Sequence, residues 1–275
     1  MVPYCALAGP HPSGQSVRVA ADDVVPILEF DADRAALIDP YARPPVPDPP
    51  MAAVACHFPD LIDQLCRDGE ALMRLPSMGT LWKINHDGKP LGVFYPGQGA
   101  SLAAVSIERV LAAGCQTIVA CGGAGAIAKE MPLGRVVIVE AAVRDEGTSY
   151  HYLPPAREVQ ADAHTVAILA AIAERAEVPF VVGKCWTTDG LFRETRGKVA
   201  RRRDEGCIVV DGEAAALLAV ASFRGATIGQ LLYAADDVSG MTWDDRQWRT
   251  ADTARRSLFS LAADSALQLA QTQRT

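Results

Sequence analysis

The sequence contains no CxxC pair and no Cys/His grouping at metal-ligand spacing, which removes a structural zinc site, a catalytic metal and a dithiol redox centre from consideration. Seven cysteines, an odd and dispersed set (Cys5, Cys56, Cys66, Cys115, Cys121, Cys185 and Cys207), are expected to be reduced thiols in a cytoplasmic compartment. No apolar run approaches the ~18 residues of a membrane helix, and the N-terminus lacks a basic segment followed by an apolar stretch. A membrane partner and a targeting segment are therefore not expected. Lys and Arg occur mostly singly against a net charge of −7, which argues against a nucleic-acid surface. The one basic run, Arg201-Arg202-Arg203, is followed by Asp204 and Glu205 and reads as a solvated helix face.

What is present is ordinary globular composition, 49% hydrophobic and 21% charged, at a length that suits one large α/β domain. Residues 1–20 are expected to form a flexible segment and 21–275 a single domain. Val24–Leu28 reads as a short buried strand. Six prolines between Pro40 and Pro50 forbid a helix or sheet interior and mark a surface loop. The apolar spacing Leu61, Ile62, Leu65, Leu72 predicts a helix from Phe58 to near Arg74. Strands follow at Gly79–Asn85 and Pro90–Tyr95, joined through the turn-forming Asp87-Gly88.

Helices and strands then alternate. The spacing predicts helices over Ser101–Ala113, Ala161–Ala176, Thr195–Glu205, Glu213–Phe223 and Thr250–Gln271, and strands over Thr117–Cys121, Arg135–Val139, Phe180–Cys185, Cys207–Val210 and Thr227–Ala234. The short continuous apolar runs fit a mainly parallel sheet covered on both faces, where ligands bind beyond the carboxyl ends of strands.

Four such ends carry unusual residues. Gly122, Gly123 and Gly125 could let backbone N–H groups form an anion-holding nest, or serve only close packing. Asp211-Gly212-Glu213 delivers two carboxylates to a helix start, where Glu213 either favours the helix dipole or accepts hydrogen bonds from adjacent sugar hydroxyls. Asp236-Asp237 leaves a buried strand, either as a pair with divergent proton affinities or as a turn and cap. Thr187, Thr188, Leu191 and Phe192 either wall a flat heterocycle or cap and pack a helix start.

Taken in order, these stretches resemble the nucleoside phosphorylase family, which includes purine nucleoside and uridine phosphorylases and the related adenosylhomocysteine-type nucleosidases. The resemblance runs from about Ile27 to Arg249, with Ala141–Tyr152 similar to the uridine phosphorylase pattern. It implies an α/β phosphorylase-type three-layer sandwich around a mixed, partly closed sheet, assembled as a homo-oligomer from dimer to hexamer. It also implies cleavage of a ribosyl–base bond with inorganic phosphate as co-substrate, no cofactor, and a small-molecule nucleoside as partner. Asp236 matches the acid that assists purine departure. Glu213, with Gly212 and Asp211 beside it, matches the sugar-binding acid, and Thr187, Thr188, Leu191 and Phe192 match the base-contacting region.

The family pattern and this sequence differ at several places. Gly212 replaces a methionine that packs on the sugar, leaving room for a modified ribose. Ala120, Gly123 and Phe30 replace an Arg, a Ser/Thr and a Gly of the phosphate site, so phosphate would depend on Arg34, Gly122 and Gly123. Hydrolysis, with Glu29 or Asp31 activating water, is the alternative, as is a catalytically silent nucleoside-binding protein. The retained Asp236 favours a purine-like base.

Overall fold

The computed structural model describes residues 25–272 apart from 43 and 78, so the expected flexible segment at 1–20 lies outside the described residues. Its strands are β1 (Ala52–Cys56), β2 (Glu70–Arg74), β3 (Thr80–His86), β4 (Lys89–Phe94), β5 (Thr117–Ala126), β6 (Val136–Asp145), β7 (Glu158–Gln160), β8 (Phe180–Thr188), β9 (Cys207–Asp211) and β10 (Thr227–Asp237). Its helices are α1 (Pro59–Leu65), α2 (Ala100–Ala112), α3 (Ala163–Arg175), α4 (Arg196–Asp204), α5 (Ala214–Arg224) and α6 (Asp252–Thr272).

The strands form one mixed sheet in the order β10-β6-β8-β9-β5-β1-β4-β3-β2, with β7 on β6. Because β10 also pairs with β5, the strands β5, β10, β6, β8 and β9 close into a five-stranded barrel, and β1 to β4 extend from it as an open sheet. Alternate residues of β1 and β5 face opposite helical layers. Ala53, Ala55, Ile118 and Ala120 join Ile107, Leu111, Leu217 and Val220 beneath α2 and α5. Val54, Cys56, Val119 and Cys121 join Leu61, Leu169, Leu258 and Phe259 beneath α1, α3 and α6. Burial on both faces is why these strands read as continuous apolar runs. Among the described residues, no helix is long and apolar enough to cross a membrane.

The helices predicted after residue 100 and the Asp87-Gly88 hairpin are observed within a few residues of their expected ends, with Asp87 and Gly88 both at positive φ. The first part of the chain differs. Val25–Leu28 is not a strand: Pro26–Leu28 forms a solvent-exposed 3-10 turn, and Pro26 has no N–H to give a sheet. The first strand is instead Ala52–Cys56, buried along its whole length. The helix expected from Phe58 to near Arg74 stops at Leu65, because Cys66 caps it and Gly69 leads the chain into β2, where Leu72 sits at the register shift between Ala71 and Met73 against β3.

Two further expectations are corrected. The glycines 122, 123 and 125 lie inside β5, none at positive φ, so they build no nest. A Cβ at Gly125 would stand 2.9 Å from Val210 Cγ1, and one at Gly123 would stand 3.2 Å from Ala235 Cβ. These glycines thus let the barrel close. The basic run is not a solvated face either: Arg202 is buried, pairs with Asp145 and Glu205, and lies over the Trp186 ring. Arg203 donates to the carbonyls of Ile127 and Ser239.

Candidate active site

The carboxyl end of β9 meets the start of α5 through Asp211. Its Oδ1 accepts hydrogen bonds from Thr187 Oγ1 (2.9 Å) and Cys185 Sγ (3.3 Å). Its Oδ2 accepts from the Ala214 N–H (2.8 Å) and Gln230 Nε2 (3.0 Å). Thr187 Oγ1 in turn accepts from the Ala215 N–H at 2.9 Å. Asp211 and Thr187 together therefore satisfy two of the orphan donors of the first turn of α5, those of Ala214 and Ala215. Both are buried, and burial followed by the charge of Glu213 pushes the Asp211 carboxyl up to about 6.

With the cap supplied by Asp211, Glu213 at the N-cap position makes no capping bond of its own. Its Oε1 accepts the backbone N–H of Gly99, the residue that begins α2, at 2.7 Å. The carboxylate thus sits at two helix N-termini, where a negative charge is stabilised. Burial raises its proton affinity above the ordinary value, and the Gly99 and Gly212 N–H groups oppose that rise. Tyr95, at the end of β4, has its phenol pushed up by burial and by the charge of Glu213. A Cβ at Gly212 would find only Gly99 within 4 Å, so the space beside Glu213 is open.

Asp236 stands where the register of β10 against β5 shifts, between Ala234 and Asp237. Such irregularities re-aim side chains at sheet rims. The indole N–H of Trp243 donates to Asp236 Oδ2 at 2.6 Å, and Oδ1 faces Gly125, 3.5 Å from where a Cβ would be. The adjacent Asp237 is structural. Burial pushes its carboxyl up, but Ser239 and Arg246 outweigh burial and hold it below the ordinary value. The two neighbouring acids are thereby divided, one tying down the loop and one left at the strand end.

Beyond β8, Leu191 and Phe192 occupy a 3-10 turn and are 60% and 95% exposed. Thr188 is buried and accepts the Gly190 N–H. Arg196 donates twice to the Met241 carbonyl, which fastens this segment to the loop carrying Trp243. Glu194 lies within that junction, and burial followed by the charge of Asp236 pushes its carboxyl up to about 7. The open concavity of about 490 Å³ beside Asp244, Arg246 and Thr250 does not include Glu213 or Asp236.

The structure brings Glu213, Gly212, Asp211, Thr187, Gly122, Gly123 and Asp236 to one end of the barrel, on β5, β8, β9 and β10. Arg34 is not with them. Its guanidinium stacks over Phe223, 5.6 Å from the ring centre. Phe223 is ten residues along α5 from Glu213, roughly 15 Å at the helical rise. Glu29 and Asp31 are exposed, and Asp31 accepts the Asp33 N–H in a local turn. No described contact ties either acid to Glu213 or Asp236. His57, Tyr95, Gly99, Glu194 and Trp243 are the neighbours that sequence reasoning missed. The signal for His57 was the apolar run Ala52–Cys56, which ends at the site in the place assigned to Val24–Leu28.

Residues 51–266 match the phosphorylase superfamily. A guanosine phosphorylase of Halorubrum lacusprofundi is 28% identical over 175 residues, covering 62% of this chain and 71% of its own. A uridine phosphorylase of Thermococcus kodakarensis is 28% identical over 165 residues, covering 54% of this chain and 59% of its own. The purine nucleoside phosphorylase of Toxoplasma gondii, solved with immucillin-H, shares the fold with a TM-score of 0.73 at 18% identity, over 82% of this chain and 93% of that one. The match begins at residue 51, beyond Glu29, Asp31 and Arg34. The chain belongs to the phosphorylase superfamily and is an enzyme of that family, whose named relatives are nucleoside phosphorylases.

Proposed function

We propose that this enzyme cleaves the N-glycosidic bond of a purine-like nucleoside, with water as the acceptor of the sugar. Glu213 accepts the ribose hydroxyls and fixes the ring, and Asp236 hydrogen-bonds the departing base, an interaction that strengthens as negative charge develops on it. Gly212 leaves room for a substituted sugar. A purine-like base is supported by the retained acid at Asp236 and by the immucillin-H complex of the structural relative.

The observation that carries the choice of water is the lining of β5. The side chains against Gly122 and Gly123 are those of His57, Ala235 and Tyr233. A phosphate dianion is normally held by charge-assisted bonds from Arg or Lys. Among the described residues Arg34, the first-loop cation that the sequence offered for phosphate, stacks instead on Phe223. Phosphorolysis, giving free base and ribose 1-phosphate, is the second reading, favoured by the activities of the named relatives. Incubation with a purine nucleoside panel, with and without phosphate, separates them. Free sugar at equal rates in both arms is expected; sugar 1-phosphate, or binding without turnover, would overturn the hydrolytic reading. Glu29→Gln and Asp31→Asn should leave the rate unchanged.

We also propose cytoplasmic action as a homo-oligomer of two to six subunits. The six described cysteines are free and buried, and the large apolar side chains of Leu191, Phe192, Met241 and Trp243 are each exposed. Light scattering on the purified protein tests the assembly.

A further inference from the structure

His57 leaves β1 directly opposite β5, its N–H donating to the Cys121 carbonyl at 2.9 Å. Its side chain lies on Gly122, so that a Cβ there would be 3.2 Å from His57 Cβ and 3.4 Å from Cγ and Cδ2. The ring meets Tyr95 edge-on at 6.3 Å, and the Tyr95 phenol feels the charge of Glu213. Nε2 is buried and has no hydrogen-bond partner among the described residues. An unsatisfied buried polar atom is costly and rare, and a bound ligand or water is a common reason for one. Burial lowers the imidazole pKa to about 4 against the opposing charge of Asp211, so the ring is neutral near pH 7. A neutral imidazole can accept one hydrogen bond and adds no charge for a dianion to pair with.

We infer that His57 positions the attacking water, through a hydrogen bond from the water to Nε2, on the side of the sugar-binding site formed by β1 and β5. The inference rests on the hydrolytic reading above. In the step it serves, the C1′–O bond forms as the C1′–N bond breaks. The water keeps the O–H that it gives to Nε2 and releases its other proton to solvent water, while the base leaves with the bonding electron pair and takes a proton by way of the Asp236 carboxyl, which solvent resupplies.

The test compares His57→Gln, whose side-chain oxygen reaches the Nε2 position, with His57→Leu, which keeps bulk but no acceptor. Purine nucleoside is the substrate, product sugar is followed by NMR with and without phosphate, and nucleoside binding is measured by calorimetry. His57→Gln should stay within about tenfold of the parent kcat, while His57→Leu should lose about a hundredfold at unchanged nucleoside affinity. Should the Leu variant not fold, His57→Asn, whose shorter side chain leaves its oxygen short of that position, takes its place and should show the same loss. Parent-like kcat in the Leu or Asn variant overturns the role of His57. Formation of sugar 1-phosphate by the unmodified enzyme overturns the hydrolytic reading instead, so the two failures are distinct.

Discussion

Glu213 accepts the backbone N–H of Gly99 at 2.7 Å across 114 residues of sequence, joining the first turn of α5 to that of α2. The bond orients the carboxylate with one helix start on each side and leaves its remaining acceptor capacity for ligand. Because the cap of α5 comes from Asp211, the orientation of Glu213 is independent of the helix it begins.

Glu213→Gln keeps an oxygen for Gly99 but removes the charge. A hydrogen bond to a charged group is worth about 1.5–3 kcal/mol, so kcat/KM should fall by about a hundredfold with the melting temperature nearly unchanged. Glu213→Ala also unpairs the Gly99 N–H and should lower both. Steady-state kinetics and thermal melts on the two variants check the separation.

Asp236→Asn should depress kcat by about 10²–10⁴ while nucleoside affinity changes little, since its interaction is strongest when the base departs. Calorimetric binding alongside turnover reads both quantities.

Glu194 adds a pH limb to that site. Its carboxyl is held near 7 by burial and by Asp236, so it is neutral below that pH and negative above it. A negative charge on Glu194 beside the departing base disfavours the transition state, and the rate should decline as pH rises through about 7. In Glu194→Gln a pH–rate profile should be flat across that range.

Asp211 has a folded pKa of about 6 against an ordinary value of 3.8. The folded state therefore holds this proton more tightly than the unfolded chain, and stability contributed by the protonated form is lost as pH rises from about 4 to 6. The loss is ~3 kcal/mol. Urea midpoints at pH 4 and 7 should differ more in the parent than in Asp211→Asn by this amount; parallel curves would refute it.

The sequence exposed the second half of the fold well. From α2 onward, apolar periodicity marked buried helices and strands that keep their local pattern inside the sheet. The first half failed where a single proline or glycine reversed the pattern: Pro26 ended an apolar run in a turn, and Gly69 cut an apparent long helix into α1 and β2. Missing β1 carried a chemical consequence, because the first strand end was then sought near Phe30 rather than at His57. Glu213 and Asp236 were legible as acids at strand ends. Their division of labour with Asp211 and Asp237 was not, since it depends on donors from Gln230, Arg246 and Gly99 that no local spacing reveals.

Gly125→Ala would place a methyl 2.9 Å from Val210 and near Asp236. Overpacking of this kind costs about 1–3 kcal/mol, which in a chain of this size lowers the melting temperature by several degrees. Activity should fall with it, as measured by differential scanning calorimetry and turnover on the same sample.

Strand β5 changes partners along its length. It runs beside β1 as far as Cys121 and beside β9 from Gly125, while β10 accompanies it throughout. Residues 122–125 are the place where an open sheet becomes a closed one, and any side chain added there disturbs both architectures at once. At the start of that segment the His57 side chain lies against Gly122, so the end of β1 and the point where the sheet closes are packed as one unit.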